Sequence, residues 1–441
     1  MKKKKIKVYI LAATLLAFMM NVQAQDWPQY LGPFRNSISP QKNLLRSWPE
    51  KGPEVLWSVG VGIGYGGPVV KDGKVYLLDR DDKVGDNLRC FDLESGKELW
   101  NFAYDAPGSV MFPGSRSVPI VDGNNVYTCG PYGDLYCVDI NTHKPVWHKN
   151  VWKDFGGGQI PTWAISQCPL VYGDLLIIAS QAPEAGVVAY NKLNGNVTWK
   201  TPSVGPVGYV SPALVKVDGK DQVVMISASA GRSNSGGKTV GIDPMTGKIL
   251  WEYTGWQCHI PVPCAVDAGD NKMLISGGYE AGSAMIKVDK KSDGSYAVTE
   301  LYKNPDFGAH TQPPVLYQGN FYAQYSTNER KDGLVCMTMD GKVKWKTGRN
   351  PSFDKGGIIA ADGLLLATDG RNTLYLIQPD PDAFKPLAKA DLLEAGGTGS
   401  GNDPRASRVG GSTQNWAPPA LSNGILLIRD QSHMIGVRVA K

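Results

Sequence analysis

Cys90-Phe-Asp-Leu-Glu-Ser-Gly-Lys-Glu-Leu-Trp100 is the stretch on which the fold turns, because the chain repeats it. It returns as Cys137-Val-Asp-Ile-Asn-Thr-His-Lys-Pro-Val-Trp147, Ala189-Tyr-Asn-Lys-Leu-Asn-Gly-Asn-Val-Thr-Trp199 and Gly241-Ile-Asp-Pro-Met-Thr-Gly-Lys-Ile-Leu-Trp251. A shorter copy is Cys336-Met-Thr-Met-Asp-Gly-Lys-Val-Lys-Trp345. Trp57 fills the same slot without its preceding strand, and Tyr302 fills it in a degenerate copy. From Trp57 to Trp345 the steps are 43, 47, 52, 52, 51 and 43 residues, and the remaining chain holds two further periods, eight in all. A fixed period near 48 residues is the signature of a repeat architecture.

Each period opens with a second phrase, Pro followed by apolar residues and a turn, at Pro68, Pro119, Pro169, Pro212, Pro263, Pro314 and Pro419; the copy at Gly357 lacks Pro. Strands rich in β-branched and aromatic residues follow, such as Leu175-Leu-Ile-Ile178 and Ile425-Leu-Leu-Ile428. Four short strands make one antiparallel sheet, which cannot bury both faces alone. Set around an axis, each sheet covers its neighbour. The expected fold is therefore all-β, an eight-bladed β-propeller of four-stranded blades with a WD-like repeat architecture. The last period, ending Met434 to Ala440, lacks an outer strand, and Val55-Leu-Trp57-Ser-Val59 is an outer strand without a blade. Pairing of the two should close the ring. The domain plan is 1–24 leader, 25–52 N-terminal extension and 53–441 propeller. One Trp per blade at a fixed distance from a turn gives Trp57, Trp100, Trp147, Trp199, Trp251 and Trp345 a structural docking role rather than a ligand-binding one.

These phrases resemble the tryptophan-docking repeat of the PQQ-like (quinoprotein alcohol dehydrogenase-like) eight-bladed propeller superfamily. The opening Trp27-Pro-Gln-Tyr-Leu-Gly-Pro-Phe-Arg35 resembles the Trp-Pro-Gln-x-x-Gly-Pro-x-Arg start of many exported PQQ-like proteins of unassigned role. The superfamily implies two kinds of function. Quinoprotein dehydrogenases hold pyrroloquinoline quinone (PQQ) and calcium on the axis, with an adjacent-cysteine disulfide, a Trp platform and a catalytic Asp. This chain has seven cysteines, none adjacent, and no Cys-x-x-Cys-His haem site, so no catalytic residue is carried over. The lipoprotein propeller of the outer-membrane β-barrel assembly machine is instead a scaffold. The chain matches its repeat number but lacks the lipidation Cys. One fold hosts many activities, so the site must decide.

If the Pro phrase starts the innermost strand, residues three to six places before it ring one mouth of the central channel. Those are Tyr65, Arg116, Trp163, Tyr209, His259, His310 and Trp416. Stacking surfaces mixed with donors and acceptors suit a sugar, a quinone or an extended peptide. A polysaccharide lyase is a lower alternative, with Arg116, Tyr209, His259 and His310 as base and neutraliser.

Composition bounds the rest. With 42% hydrophobic and 9% aromatic residues the chain has material for a core, and its 52 Gly and 30 Pro argue against a helical bundle. The formal charge of +5 comes from Lys2, Lys3, Lys4, Lys5 and Lys7. They head a basic start, an apolar run from Val8 to Met20 and Val22-Gln23-Ala24, which together read as a Sec signal peptide. Beyond Ala24 the 41 acidic side chains meet 41 basic ones, which removes the electrostatic support for a nucleic-acid or membrane-surface partner. No two of the five His share metal-ligand spacing with a carboxylate, so no metal is expected. Cys90, Cys137 and Cys336 read as small core residues, and no disulfide is assigned. Gly60-Val-Gly-Ile-Gly64 and Gly396-Gly-Thr-Gly-Ser-Gly401 lack the Lys-Ser/Thr ending of a phosphate loop. The second belongs to a Gly/Ser-rich loop, about Glu394 to Asn415, read as padding, with a lid over the funnel as the alternative. The expectation is an exported, periplasmic or secreted monomer without lipid anchor, binding or scaffolding a carbohydrate or protein ligand. The alternative is a PQQ-dependent dehydrogenase of alcohols or sugars.

Overall fold

The computed structural model describes residues 25–230, 236–326, 330–393 and 414–441. Residues 1–24, read above as a signal peptide, and most of the Gly/Ser-rich loop lie outside them. Eight antiparallel sheets form the ring. Blades 1 to 7 span Val69–Asp105, Ile120–Asn150, Leu170–Lys200, Ala213–Tyr253, Val266–Asn304, Val315–Lys346 and Ile358–Asp391. Blade 8 takes three strands from Ala420–Arg438 and its outer strand, Val55–Gly60, from the other end of the chain. The closing register pairs Val55 with Val437, Trp57 with Gly436 and Val59 with Met434. As the Pro phrase predicts, six innermost strands begin at the next residue, Val69, Ile120, Leu170, Ala213, Val315 and Ala420, and that of blade 5 begins at Val266, three residues past Pro263.

The docking residues follow one rule. Each lies cross-strand from a small residue on the third strand: Cys90 opposite Trp100, Cys137 opposite Trp147, Ala189 opposite Trp199, Gly241 opposite Trp251, Cys336 opposite Trp345. A bulge adjoins each pair and tips the indole towards the next blade. There the ring lies over the turn glycine, and Nε1 donates to a carbonyl of that turn. Trp57 covers Gly96 and bonds Leu93 O at 2.9 Å; Trp147 covers Gly195 and bonds Lys192 O at 3.0 Å; Trp199 covers Gly247 and bonds Pro244 O at 3.1 Å. Tyr302 covers Gly341 and donates to Met339 O. Trp345 bonds Asp380 O, and Trp100 stacks on His143, which takes the glycine's left-handed place at φ +59°. Trp251 is the exception. It bonds Gln222 Oε1 within its own blade at 2.6 Å. The seven cysteines are buried free thiols, and burial pushes Cys90 up to about 12, so it fills space rather than reacts.

The extension, set apart from the propeller in the sequence plan, is built into it. Ile38–Ser39 adds a fifth, parallel strand inside blade 7, pairing Ile38 with Ala360. The arm makes a circuit of the axis. Trp27 exchanges backbone bonds with Val70 of blade 1, Val121 N of blade 2 donates to Pro28 O, and Arg35 reaches the carbonyls of Pro169 and Pro212 that lead into blades 3 and 4. Past blade 7, Leu45 N and Lys441 N tie the arm to blade 8. Gly32, at φ +81°, sits under the Trp27 ring where a Cβ would approach to 2.8 Å, so only glycine fits this place in the opening motif. Asp26, Leu44 and Gln41 bond the turns that follow the inner strands, at Asp72, Asp362 and Gly424. The arm thus fills the end of the axis opposite the predicted rim.

Candidate functional site

Loops leading into the inner strands carry all seven rim residues, each from a different blade junction. They gather into two aromatic groups. In the first, Tyr65 and Trp416 stack at 5.4 Å with planes 26° apart, and Phe112 flanks them at 6.4 and 6.0 Å. Lys355 Nζ lies 4.6 Å from the Trp416 ring, and the Arg116 guanidinium lies 5.9 Å from the Tyr65 ring. Tyr65 OH donates to Gln414 Oε1 at 2.7 Å. In the second group Trp163 meets Tyr209 edge-on at 5.4 Å, while Tyr279 stands between His259 and His310 at 5.4 and 4.8 Å. Tyr209 N donates to Pro261 O, tying the two halves of this group together.

Several of these side chains are already engaged. Arg116 donates to the carbonyls of Gly114, Met111 and Phe112, so its guanidinium shapes its own loop; burial pulls it down to about 10. His310 is 7% exposed, and its Nδ1 lies 2.9 Å from Ser326 O. A carbonyl only accepts, so Nδ1 carries the proton and Nε2 the lone pair. Burial is the main cause that pulls this imidazole down to about 4, with Lys355 adding to it, and it is neutral at pH 7. The Tyr209 hydroxyl accepts from Trp163 N at 3.3 Å, and burial raises its phenol.

Phe112, Tyr279 and Lys355 were not among the sequence candidates. Tyr279 comes from the turn between the second and third strands of blade 5, where no rim position was sought. It holds φ +52°, and its neighbour Glu280 φ +65°, both left-handed without being glycine. The Tyr279-Glu280 pair beside Gly277-Gly278 was the one signal that could have shown it.

The residues do not fit the quinone and calcium of the dehydrogenase branch. The thiols are buried and unpaired rather than joined as an adjacent pair. The face of Trp416 is occupied by Tyr65 on one side and approached by Lys355. Among the described residues no three His, Cys, Asp or Glu side chains gather as a metal would need.

A family model described as outer membrane protein assembly factor BamB matches residues 41–160 and 84–257. BamB of Bordetella pertussis is 27% identical over 215 residues, covering 48% of this chain and 47% of that protein. Quinoprotein ethanol dehydrogenase of Pseudomonas aeruginosa is 29% identical over 236 residues, covering 50% of this chain and 35% of the enzyme. The match thus spans about half, or less, of the curated relatives' own length. Among solved structures, the quinohemoprotein alcohol dehydrogenase of Comamonas testosteroni superposes with a TM-score of 0.61 at 14% identity, over 95% of this chain and 81% of that one. BamB of Moraxella catarrhalis gives 0.55 at 12%, over 87% and 99%. At such identities the likeness is one of fold. With the Trp repeat and the eight closed blades, it makes this chain an eight-bladed β-propeller, similar to BamB and to quinoprotein alcohol dehydrogenases alike.

Proposed function

We propose that the protein is an exported binding or scaffold module, periplasmic or secreted and monomeric, that seats a carbohydrate or protein ligand in the funnel. One observation carries the reading: side chains from seven junctions form aromatic groups at one mouth, while the arm fills the other end of the axis. A cup with one opening and ring faces along its rim suits a sugar or an extended peptide. Calorimetric titration with glycan and peptide panels tests it, using Trp163→Ala and Trp416→Ala. Affinity should fall about tenfold in each, and unchanged affinity in both would remove the rim as the site.

The dehydrogenase alternative is favoured by the relatives' names and opposed by the residues around Trp416. Purified protein given PQQ and calcium should leave an artificial dye unreduced with alcohols and sugars; substrate-dependent reduction would reinstate the enzyme. A lyase needs a free cation beside its base, and the Arg116 guanidinium is spent on carbonyls of its own loop.

A further inference from the structure

Arg35 belongs to the opening motif and carries its guanidinium into the ring. Its hydrogen bonds go to Gln29 Oε1 at 3.2 Å, Pro169 O at 3.3 Å and Pro212 O at 3.0 Å, all neutral acceptors. Around it lie Tyr30, Cys168 and Cys264, and no carboxylate pairs with it among the described residues. A half-buried cation without a counter-charge is costly, and desolvation pulls its pKa down accordingly. The bonds leave Nε–H and one N–H of Nη2 unused, on the two nitrogens whose edge grips a carboxylate or sulfate side-on. The neighbourhood repeats the imbalance. Gln181, 3% exposed, accepts from Gly208 N through Oε1, yet its buried Nε2 has no acceptor among the described residues. Gly208 adjoins rim Tyr209, and Pro212 is three residues further, within about 10 Å along the chain. Unused donors from the arm and from blade 3 are thus both anchored on the segment Gly208 to Pro212 that leads into blade 4, the segment that carries rim Tyr209.

We infer that this sector of the funnel floor is an anion site, and that the ligand is an anionic glycan whose carboxylate or sulfate Arg35 takes while rim rings stack on the sugar. The inference rests on the funnel reading above and names its ligand class. Three probes decide it by calorimetry: tetragalacturonate, a sulfated galactose tetramer and the neutral galactose tetramer. Wild type should bind at least one charged probe about tenfold to hundredfold more tightly than the neutral one, the span of a charge-assisted bidentate contact, with the advantage shrinking as salt rises. Whichever charged probe leads identifies the source of the anion. Arg35→Gln should erase the preference, and Arg35→Lys, which keeps charge but not the fork, should keep only part of it. Gln181→Leu should weaken the charged probe severalfold and leave the neutral one unchanged. Should Arg35→Gln fail to fold, the other two variants decide, and an undiminished preference in both overturns the site. Equal binding of charged and neutral probes in wild type also overturns it. If Trp163→Ala still weakens that binding, the funnel reading survives alone. Binding of none of the three sinks the anionic-glycan assignment, and the peptide panel then decides the funnel.

Discussion

The ring uses the same residue types in two belts with opposite environments. In the outer belt, Trp57, Trp147, Trp199 and Trp251 are buried, each opposite a small residue, with Nε1 committed to a carbonyl or carboxamide oxygen. On the rim, Trp163 and Trp416 are half-exposed and lean on other rings. The outer belt is periodic because every junction poses the same packing problem. The rim is irregular because its loops answer to no shared neighbour. An aromatic that keeps the period is structural, and one that breaks it is a candidate for binding.

The sharpest way to break this contrast is truncation in the outer belt. Trp199→Ala should cost about 3–5 kcal/mol in urea unfolding, since ring, indole bond and turn cover go together. A loss under about 1 kcal/mol would end the docking account. Next comes the rim residue that behaves like core. His310 stays neutral when folded down to about pH 4 but takes a proton near 6.5 when unfolded. The unfolded chain therefore binds more protons between those values, and stability falls as pH drops through that window, by about 3 kcal/mol in total. Asp86, raised to about 6 chiefly by burial, works the other way, so the difference between wild type and His310→Gln isolates the imidazole. Parallel pH profiles for the two would show that His310 is not held neutral.

A smaller effect is expected at Gly436, where a Cβ would lie 2.4 Å from the Trp57 ring. Gly436→Ala should cost about 1–3 kcal/mol by overpacking the closing pair. No change in the unfolding midpoint would mean that this joint has the same room for a Cβ as the joints that carry Cys or Ala. Smallest should be Trp163→Ala and Trp416→Ala, at about 1 kcal/mol or less in stability while ligand affinity falls. A large stability loss there would merge the two belts into one.

Blades, inner strands and closure could be read from the chain because Trp, the small residue opposite and the turn recur together. The arm could not. Its pairing strand is two residues long, and most of its contacts are made once. Tyr65, Trp163, Tyr209 and Trp416 were found by offset from a Pro phrase. Arg35 and Gln181 escaped that rule, since one lies in the arm and the other at the end of a second strand. Offsets place these residues in the loops that enter the inner strands, but do not show that Arg116 would spend its donors on its own backbone.

The arm's circuit also bears on how the molecule is assembled. Gln25 N meets Asn423 Oδ1 across 398 residues of sequence, and Asn43 O meets Lys441 N. Contacts of such separation are late and slow to form. A chain emerging from its amino end must therefore leave the blade-8 contacts of its first segment open until the eighth blade exists. Any half-finished ring leaves a raw sheet face on either side, a natural point for a folding helper to intervene.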